Sequence, residues 1–301
     1  MPVSTKLLTR KHQLMLPSIV LTECPRDAMQ GLPEFIPTAT KTAYLQQLLA
    51  VGFDVLDFGS FVSPKAIPQL RDTAEVLAGL DLRQTSTKLL AIVANLRGAE
   101  QAASYPEISY LGFPLSVSAT FQHRNTNQTP AQARADVAAM HELCERRGKT
   151  LVVYLSMGFG NPYGDPWSPA LVAEFTADLA ALGIRIVALS DTVGTATPAL
   201  ITPLFKELIP AFPQVAFGAH LHTTPATWQP NVLAAYEAGC RRFDSALGGI
   251  GGCPMAADTL TGNLATEHLV GFLAGRGEVL GLKEAEFERA RALSQAVFSV
   301  A

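Results

Sequence analysis

The sequence predicts an α/β fold of the (β/α)8 TIM-barrel type with additional C-terminal helices, and three observations carry that expectation. Its 301 residues exceed an ordinary domain but suit such a barrel, which takes roughly 250 residues before additions. Short apolar or β-branched runs alternate with longer helical patterns eight times in succession. Several of these runs lack strict polar alternation, as parallel strands covered on both faces do. Eight consecutive βα units favour a closed barrel over an open doubly wound sheet.

The elements follow in order. Ile19 to Glu23 is the first run, ended by Cys24-Pro25, and Val55 to Phe58 is the second, after a helical stretch around Gln46-Gln47-Leu48-Leu49. Lys88 to Val93 is the third. Tyr110 to Val117 is the fourth, interrupted by Pro114, which donates no N–H and so calls for an edge or bulge position. The helical segment from Ala131 to Cys144 leads into Leu151 to Ser156, and the Pro-rich stretch 161–169 reads as the next loop. Ile186 to Ser190, Ala216 to Leu221 and Arg242 to Ala246 complete the eight. Glu267 to Leu273 and the amphipathic Glu284 to Val300 then read as helices that cover the barrel or a partner subunit, and a homodimer is expected. No linker or repeat divides the chain, so residues 1–301 are expected to form one domain. Within it, 18–246 hold the βα units and 247–301 a glycine-rich loop and the closing helices.

Composition narrows the function. A hydrophobic share of 48% against 16% charged residues favours a well-buried core over disorder. The net charge of -3 supplies no basic field for nucleic acid or an anionic membrane. Apolar runs such as Leu89 to Ala94 fall far short of the roughly 20 residues that span a bilayer. The first residues lack acid and carry Lys6, Arg10 and Lys11, faintly like a transit peptide, but no secretory core is evident. The four cysteines are widely spaced without a CxxC pair, which argues against a disulfide framework or zinc ribbon and suits a reducing cytoplasm.

Barrel active sites gather at the C-terminal ends of the strands, and the reactive residues fall there. Arg26 and Asp27 follow the first run, Asp57 lies in the second, Asp191 closes the sixth, His220 and His222 end the seventh, and Cys253 follows the eighth. His220 and His222 share a face by the period of two along a strand. Taken alone they could be hydrogen-bonded core histidines. With the Asp27 carboxylate and the Asn263 amide they make a mixed N/O set that suits Mg²⁺ or Mn²⁺ and also permits Fe²⁺. Arg26 can be a surface ion pair with Asp27 or a stabiliser of developing negative charge in the barrel mouth. Glu23 either orients Arg26 or ends its strand.

Cys253 sits in Gly248-Gly249-Ile250-Gly251-Gly252-Cys253-Pro254, a mobile context that suits either a thiol that relays protons or a loop cysteine without a function, whereas Cys24, Cys144 and Cys240 read as packed. The same glycines could cradle a phosphate, but the P-loop lysine is missing. Asp57 and Asp191 are equally readable as catalytic acids or structural acceptors. Asp72 and Asp165 read as solvated charges, and Trp228 and Phe121 as candidate pocket walls.

Six motifs in one order resemble the hydroxymethylglutaryl-CoA lyase family: Pro25-Arg26-Asp27-x-x-Gln30, Ser60-Phe61-Val62-Ser63-Pro64-Lys65, Asp191-Thr192-Val193-Gly194-Thr195, His220-x-His222, Gly251-Gly252-Cys253-Pro254 and Gly262-Asn263-Leu264-Ala265-Thr266-Glu267. The likeness spans roughly residues 18 to 275. It implies a metal-dependent lyase or condensing enzyme on a TIM barrel, acting on an acyl-CoA thioester. It implies that Asp27, His220, His222 and Asn263 take a divalent metal, that Arg26 faces the thioester carbonyl, that Cys253 works on a mobile loop, and that Asp57, Asp191 and His220 assist proton movement. The implied reaction is retro-Claisen cleavage of 3-hydroxy-3-methylglutaryl-CoA to acetoacetate and acetyl-CoA.

Departures from the family pattern bear on the acyl group. Asp57 stands where the family carries glutamate, Thr223-Thr224-Pro225-Ala226-Thr227-Trp228 replaces the usual Asp-Thr-Tyr-Gly continuation, and Met255 stands where tyrosine is common. Gln30-Gly31-Leu32-Pro33 lacks the usual asparagine and nearby lysine. The rival readings are a lyase for another branched 3-hydroxyacyl-CoA, a condensing synthase of the same superfamily, and a non-catalytic CoA-ester binding protein.

Overall fold

A computed structural model describes residues 18–252 and 261–299 of the chain. Cys253 and Met255 lie outside the described residues, as does the end of the last expected helix at Val300. The elements run in the order β1 (Val20–Glu23), α1 (Pro25–Gln30), α2 (Thr38–Val51), β2 (Val55–Ser60), α3 (Thr73–Ala78), β3 (Lys88–Ile92), α4 (Leu96–Ala103), β4 (Ile108–Ser116), α5 (Ala119–Thr126), α6 (Pro130–Arg147) and β5 (Thr150–Ser156). They continue with α7 (Pro169–Ala181), β6 (Ile186–Asp191), α8 (Pro198–Ala211), β7 (Ala216–Leu221), α9 (Trp228–Glu237), β8 (Arg242–Ser245), α10 (Thr266–Gly275) and α11 (Glu284–Phe298). The eight strands pair in sequence order and close on themselves, β1 lying parallel to β8.

The apolar runs explain the closure. Leu21, Leu56, Leu89, Leu111, Val153, Val187, Ala219 and Phe243 face the helices in one continuous core, while Val55, Leu90, Val152, Tyr154, Ile186 and Ala188 fill the barrel interior. Strands β2, β3, β5 and β6 are thus apolar on both faces, while β7 and β8 turn His220 and Asp244 inward beside this packed interior. Local signals set the helix starts. Ser118, Thr129 and Ser168 accept from backbone N–H groups at Phe121, Gln132 and Leu171, and Thr129 with Gln132 completes a capping box ahead of Pro130.

Pro114 occupies neither an edge nor a bulge. It lies within the continuous β4–β5 ladder opposite Tyr154. The Gly112 carbonyl points to β3, accepting from Val93, so Pro114, two residues on, turns its nitrogen to the same side. β3 pairing stops at Gly112, and no ladder bond is forfeited.

Asp72 is likewise not solvated. It is 5% exposed, pairs with Lys41 Nζ at 2.7 Å and accepts from Thr38 Oγ1 at 2.8 Å, because the start of α3 is pinned against α2. Asp165 is half-buried and accepts from Ser118 Oγ at 2.5 Å and Thr120 N at 2.9 Å, tying two loops together. α11 covers its own barrel: its Glu286 carbonyl accepts from Gln47 of α2, and Phe287 and Phe298 pack edge-on against Phe53 and Tyr44. Among the described residues no helix is long and apolar enough to cross a membrane.

Candidate active site

The short helix α1 begins at Pro25, whose fixed φ suits a first helical position, and places Gln30 one turn beyond the adjacent Arg26 and Asp27, over the end of β1. Arg26 is the hub. Its Nε and Nη2 hold the Asp57 carboxylate, at 3.0 and 2.5 Å to Oδ2, while Nη1 donates to Asp27 Oδ1 at 2.8 Å and Gln30 Oε1 at 3.0 Å. Of the five guanidinium N–H groups, one on Nη2 is left uncommitted among the described residues. Arg26 is 6% exposed and Asp57 0%, so the pair is buried and the dipeptide Arg26-Asp27 is no surface ion pair. Burial raises the Asp57 carboxyl to about 6 against the pull of Arg26, which leaves it ionised at neutral pH.

Asp27 binds on both oxygens. Oδ1 also accepts from Gln30 Nε2 at 2.7 Å, and Oδ2 accepts from Asn263 Nδ2 at 2.7 Å. Burial alone would raise its pKa, but the Arg26 charge, the two histidines and the Asn263 bond outweigh it and bring it to about 2. Asn263 reaches this position because residues 261–265 extend the sheet: His222 bridges Asn263 and Ala246 bridges Ala265. Gly251 packs against the same spot with φ 106°, and a Cβ there would stand 2.7 Å from Asn263 Nδ2 and 2.8 Å from the Asp27 carbonyl, so only glycine fits.

His220 and His222 are set differently. His220 Nδ1 lies 3.2 Å from Asp244 Oδ2, and His222 Nδ1 lies 3.1 Å from the Thr192 carbonyl. Burial opposes charge on His220, but the Asp244 carboxylate outweighs it and raises its pKa; burial and then the neighbouring His220 push His222 down to about 4. Thr192 is itself braced, its Oγ1 accepting from the N–H of Met157 at 2.9 Å, and Met157 holds φ 57°, a left-handed conformation uncommon for a non-glycine residue. Ligand atoms of Asp27, His220 and His222 lie within 4.8 Å of one another. A divalent metal fits this set, because among the described residues His222 Nε2 is buried with no hydrogen-bond partner while its Nδ1 is committed to a carbonyl, leaving Nε2 with a free lone pair.

Arg26, Asp27, Gln30, His220 and His222 line one wall of a cavity of about 120 Å³, and Ile67, Ile92, Pro114 and Phe121 supply an apolar wall. Phe121 thus walls the cavity as expected. Trp228 does not line it; it stacks on His268 at 4.7 Å beside a separate cleft that also touches Asn263. Asp57 lies beneath Arg26 and outside the lining. Asp191 also lies outside it, accepting from the N–H groups of Thr195 at 2.8 Å and Ala196 at 3.0 Å. Cys253 is outside the described residues.

Glu23 neither touches Arg26 nor ends its strand idly. Its carboxyl accepts from Leu247 N at 2.8 Å and Thr266 Oγ1 at 2.5 Å, fastening the segments after β8 to β1. Burial, opposed by those bonds, raises its pKa from 4.5 to about 8. A folded-state value above the unfolded one adds stability that is complete below pH 4.5 and lost as pH rises through 8, at most on the order of 5 kcal/mol. Glu23→Gln keeps an acceptor for Leu247 and cannot ionise. Urea midpoints are expected to fall between pH 6 and 9 in the native chain and far less in the variant; equal slopes would remove this account.

Sequence reasoning missed Asp244, Thr192 and Tyr154, and gave Gln30 no role. Gln30 was visible as the residue three after Asp27 and four after Arg26 on one helix. Asp244 was visible as a charge inside the β8 run.

A family profile described as HMGL-like matches residues 19–297. The (R)-citramalyl-CoA lyase of Chloroflexus aurantiacus is 31% identical over 272 residues, covering 87% of this chain and 85% of that protein. A hydroxymethylglutaryl-CoA lyase of Bacillus subtilis is 33% identical over 246 residues, covering 82% and 81%. Among solved structures, an HMG-CoA lyase from Acinetobacter baumannii in complex with coenzyme A and 3-methylmalate superposes with a TM-score of 0.86 at 33% identity, covering 94% of this chain and 92% of that one. A closed eight-stranded barrel, a buried carboxylate and two imidazoles at its mouth, and relatives that are lyases along most of their length place the chain in one family: it belongs to the HMGL-like lyases.

Proposed function

We propose that this protein is a divalent-metal-dependent acyl-CoA lyase that cleaves 3-hydroxy-3-methylglutaryl-CoA to acetoacetate and acetyl-CoA. The observation that carries the reading is the convergence of Asp27, His220 and His222 within 4.8 Å of one another, in a cavity that Arg26 also lines. Asp27, His220 and His222 would hold the ion with Asn263 beside them; Mg²⁺ or Mn²⁺ would supply there the positive charge that acidifies the tertiary hydroxyl and orients the substrate. Arg26 offers its uncommitted Nη2 N–H to the thioester carbonyl, where negative charge grows as the carbon–carbon bond breaks. Asp57 holds that guanidinium flat and fixed rather than meeting substrate, since both its oxygens face Arg26. Asp191 ties down the turn that carries Thr192, the acceptor of His222. Ile92 and Phe121 keep water from the carbanion-like product.

Cleavage of a citramalyl-CoA ester is the second reading, favoured by the lyase of that name at 31% identity. The two acyl chains differ by one methylene, worth about 10- to 200-fold in discrimination. The test is a purified chain assayed with both thioesters and Mn²⁺ or Mg²⁺, following acetoacetate or pyruvate release. Activity lost with EDTA and restored by metal, with kcat/KM higher for the hydroxymethylglutaryl ester, is the expected result. Higher kcat/KM for citramalyl-CoA would select the second reading, and EDTA-resistant turnover would overturn metal dependence.

A further inference from the structure

The two histidines are backed by unlike acceptors, and one of these is a buried carboxylate whose only hydrogen-bond partner among the described residues is the ring it faces. Asp244 stands opposite His220 in the parallel register of β7 and β8. Its Oδ2 lies 3.2 Å from His220 Nδ1, with the two side chains 7% and 11% exposed. A carboxylate so placed fixes the hydrogen on Nδ1 and turns Nε2 into a lone pair. Packing fixes the ring as well, with Tyr154 edge-on at 5.6 Å and 83° and His222 tilted at 5.3 Å and 60°. Among the described residues, the hydrogen bond that holds the His222 ring runs to a neutral carbonyl.

We propose that Asp244 is the positioning residue of the metal centre: it sets the tautomer and aim of His220 and makes its Nε2 the stronger of the two imidazole donors. The proposal rests on the metal-dependent reading above. Carboxylates behind ligating histidines strengthen the ligand and hold its tautomer, and their loss weakens metal binding by about 10- to 100-fold. The alternative is a buried pair that merely pins β7 to β8. A second alternative puts an ion among Cys24, His220 and Asp244, whose ligand atoms also lie within 4.8 Å of one another; that ion would take Nδ1 and displace the Asp244 bond.

The test titrates Mn²⁺ into the native chain, Asp244→Asn and Asp244→Ala against a competing chelator, and records ¹⁵N-histidine spectra of the metal-free proteins. Native protein is expected to bind one Mn²⁺ per chain with His220 in the Nδ1–H tautomer. Asp244→Ala should bind about 10- to 100-fold more weakly with mixed tautomers. Asp244→Asn, whose amide oxygen still accepts from Nδ1, should keep the tautomer and fall between. At saturating Mn²⁺ the substrate KM should stay unchanged. Native-like Mn²⁺ affinity and tautomer in Asp244→Ala, even with a lowered melting temperature, would overturn the positioning role, as would two Mn²⁺ per native chain. If Asp244→Ala fails to fold, native-like affinity in Asp244→Asn is the overturning result. A native chain that binds no Mn²⁺ would instead overturn the metal-dependent reading itself.

Discussion

Asp27→Asn is expected to lower kcat/KM by about 1,000-fold or more, corresponding to roughly 4 kcal/mol of lost transition-state stabilisation. The side chain changes by one atom, so packing is nearly untouched. Its charge is what matters: the carboxylate sits with two imidazole rings in a buried pocket, and a neutral amide there cannot balance a divalent cation. The variant also puts an NH₂ group among donors, since Arg26 Nη1, Gln30 Nε2 and Asn263 Nδ2 all point at the present carboxylate. At least one of those contacts must turn repulsive.

A stability effect accompanies the kinetic one in the metal-free chain. The folded-state carboxyl titrates near 2 against 3.8, so its ionised form adds stability above pH 3.8 that disappears as pH falls toward 2, on the order of 2 kcal/mol. Asp27→Asn should show less loss than the native chain across that interval in acid denaturation. Kinetics with excess Mn²⁺, isothermal titration with the metal and circular dichroism separate the two effects. A folded variant that binds Mn²⁺ as the native chain does and keeps turnover within about tenfold would remove Asp27 from the metal set.

Short apolar runs and the βα rhythm make the barrel legible in the sequence, because both depend on local apolar patterning. Ala216–Leu221 matches to the residue; other strand ends shift by one to two residues, outward where pairing continues past the apolar run, as at Ser60 and Ile108, and inward at Ile19, Val93, Val117 and Ala246. Two of the site's three clustered donors could be placed together from His220-x-His222 alone. Asp27 joined them only through the barrel order, which makes β1 and β8 neighbours.

What stayed hidden depends on register across the barrel. Nothing local to Asp244 says that it faces His220; that follows from the β7–β8 pairing of these two positions. Nor does the sequence near Asp57 reveal that Arg26 covers both its oxygens. Trp228 was assigned to the pocket by size, and the His268 ring on α10, 40 positions later, takes its face instead.

Arg26→Gln is the variant in which catalysis and stability should both fail, and for different reasons. Removing the guanidinium strands Asp57 in the core with no cation, an uncompensated buried charge that costs about 3–5 kcal/mol. Turnover should fall by about 100- to 1,000-fold, the usual consequence of losing a donor aimed at developing negative charge. The double variant Arg26→Gln/Asp57→Asn tells the two apart, since an amide pair of similar shape can satisfy itself without charge. Urea denaturation is expected to recover most of the lost stability, while kcat stays at the level of the single variant. Arg26→Lys should sit near the single variant in kcat, because one ammonium cannot reach Asp57, Asp27 and Gln30 together and still present a donor to the thioester. If the double variant regained kcat along with its stability, Arg26 would be a structural clamp for Asp57, and the negative charge of the reaction would have to be met by the metal alone.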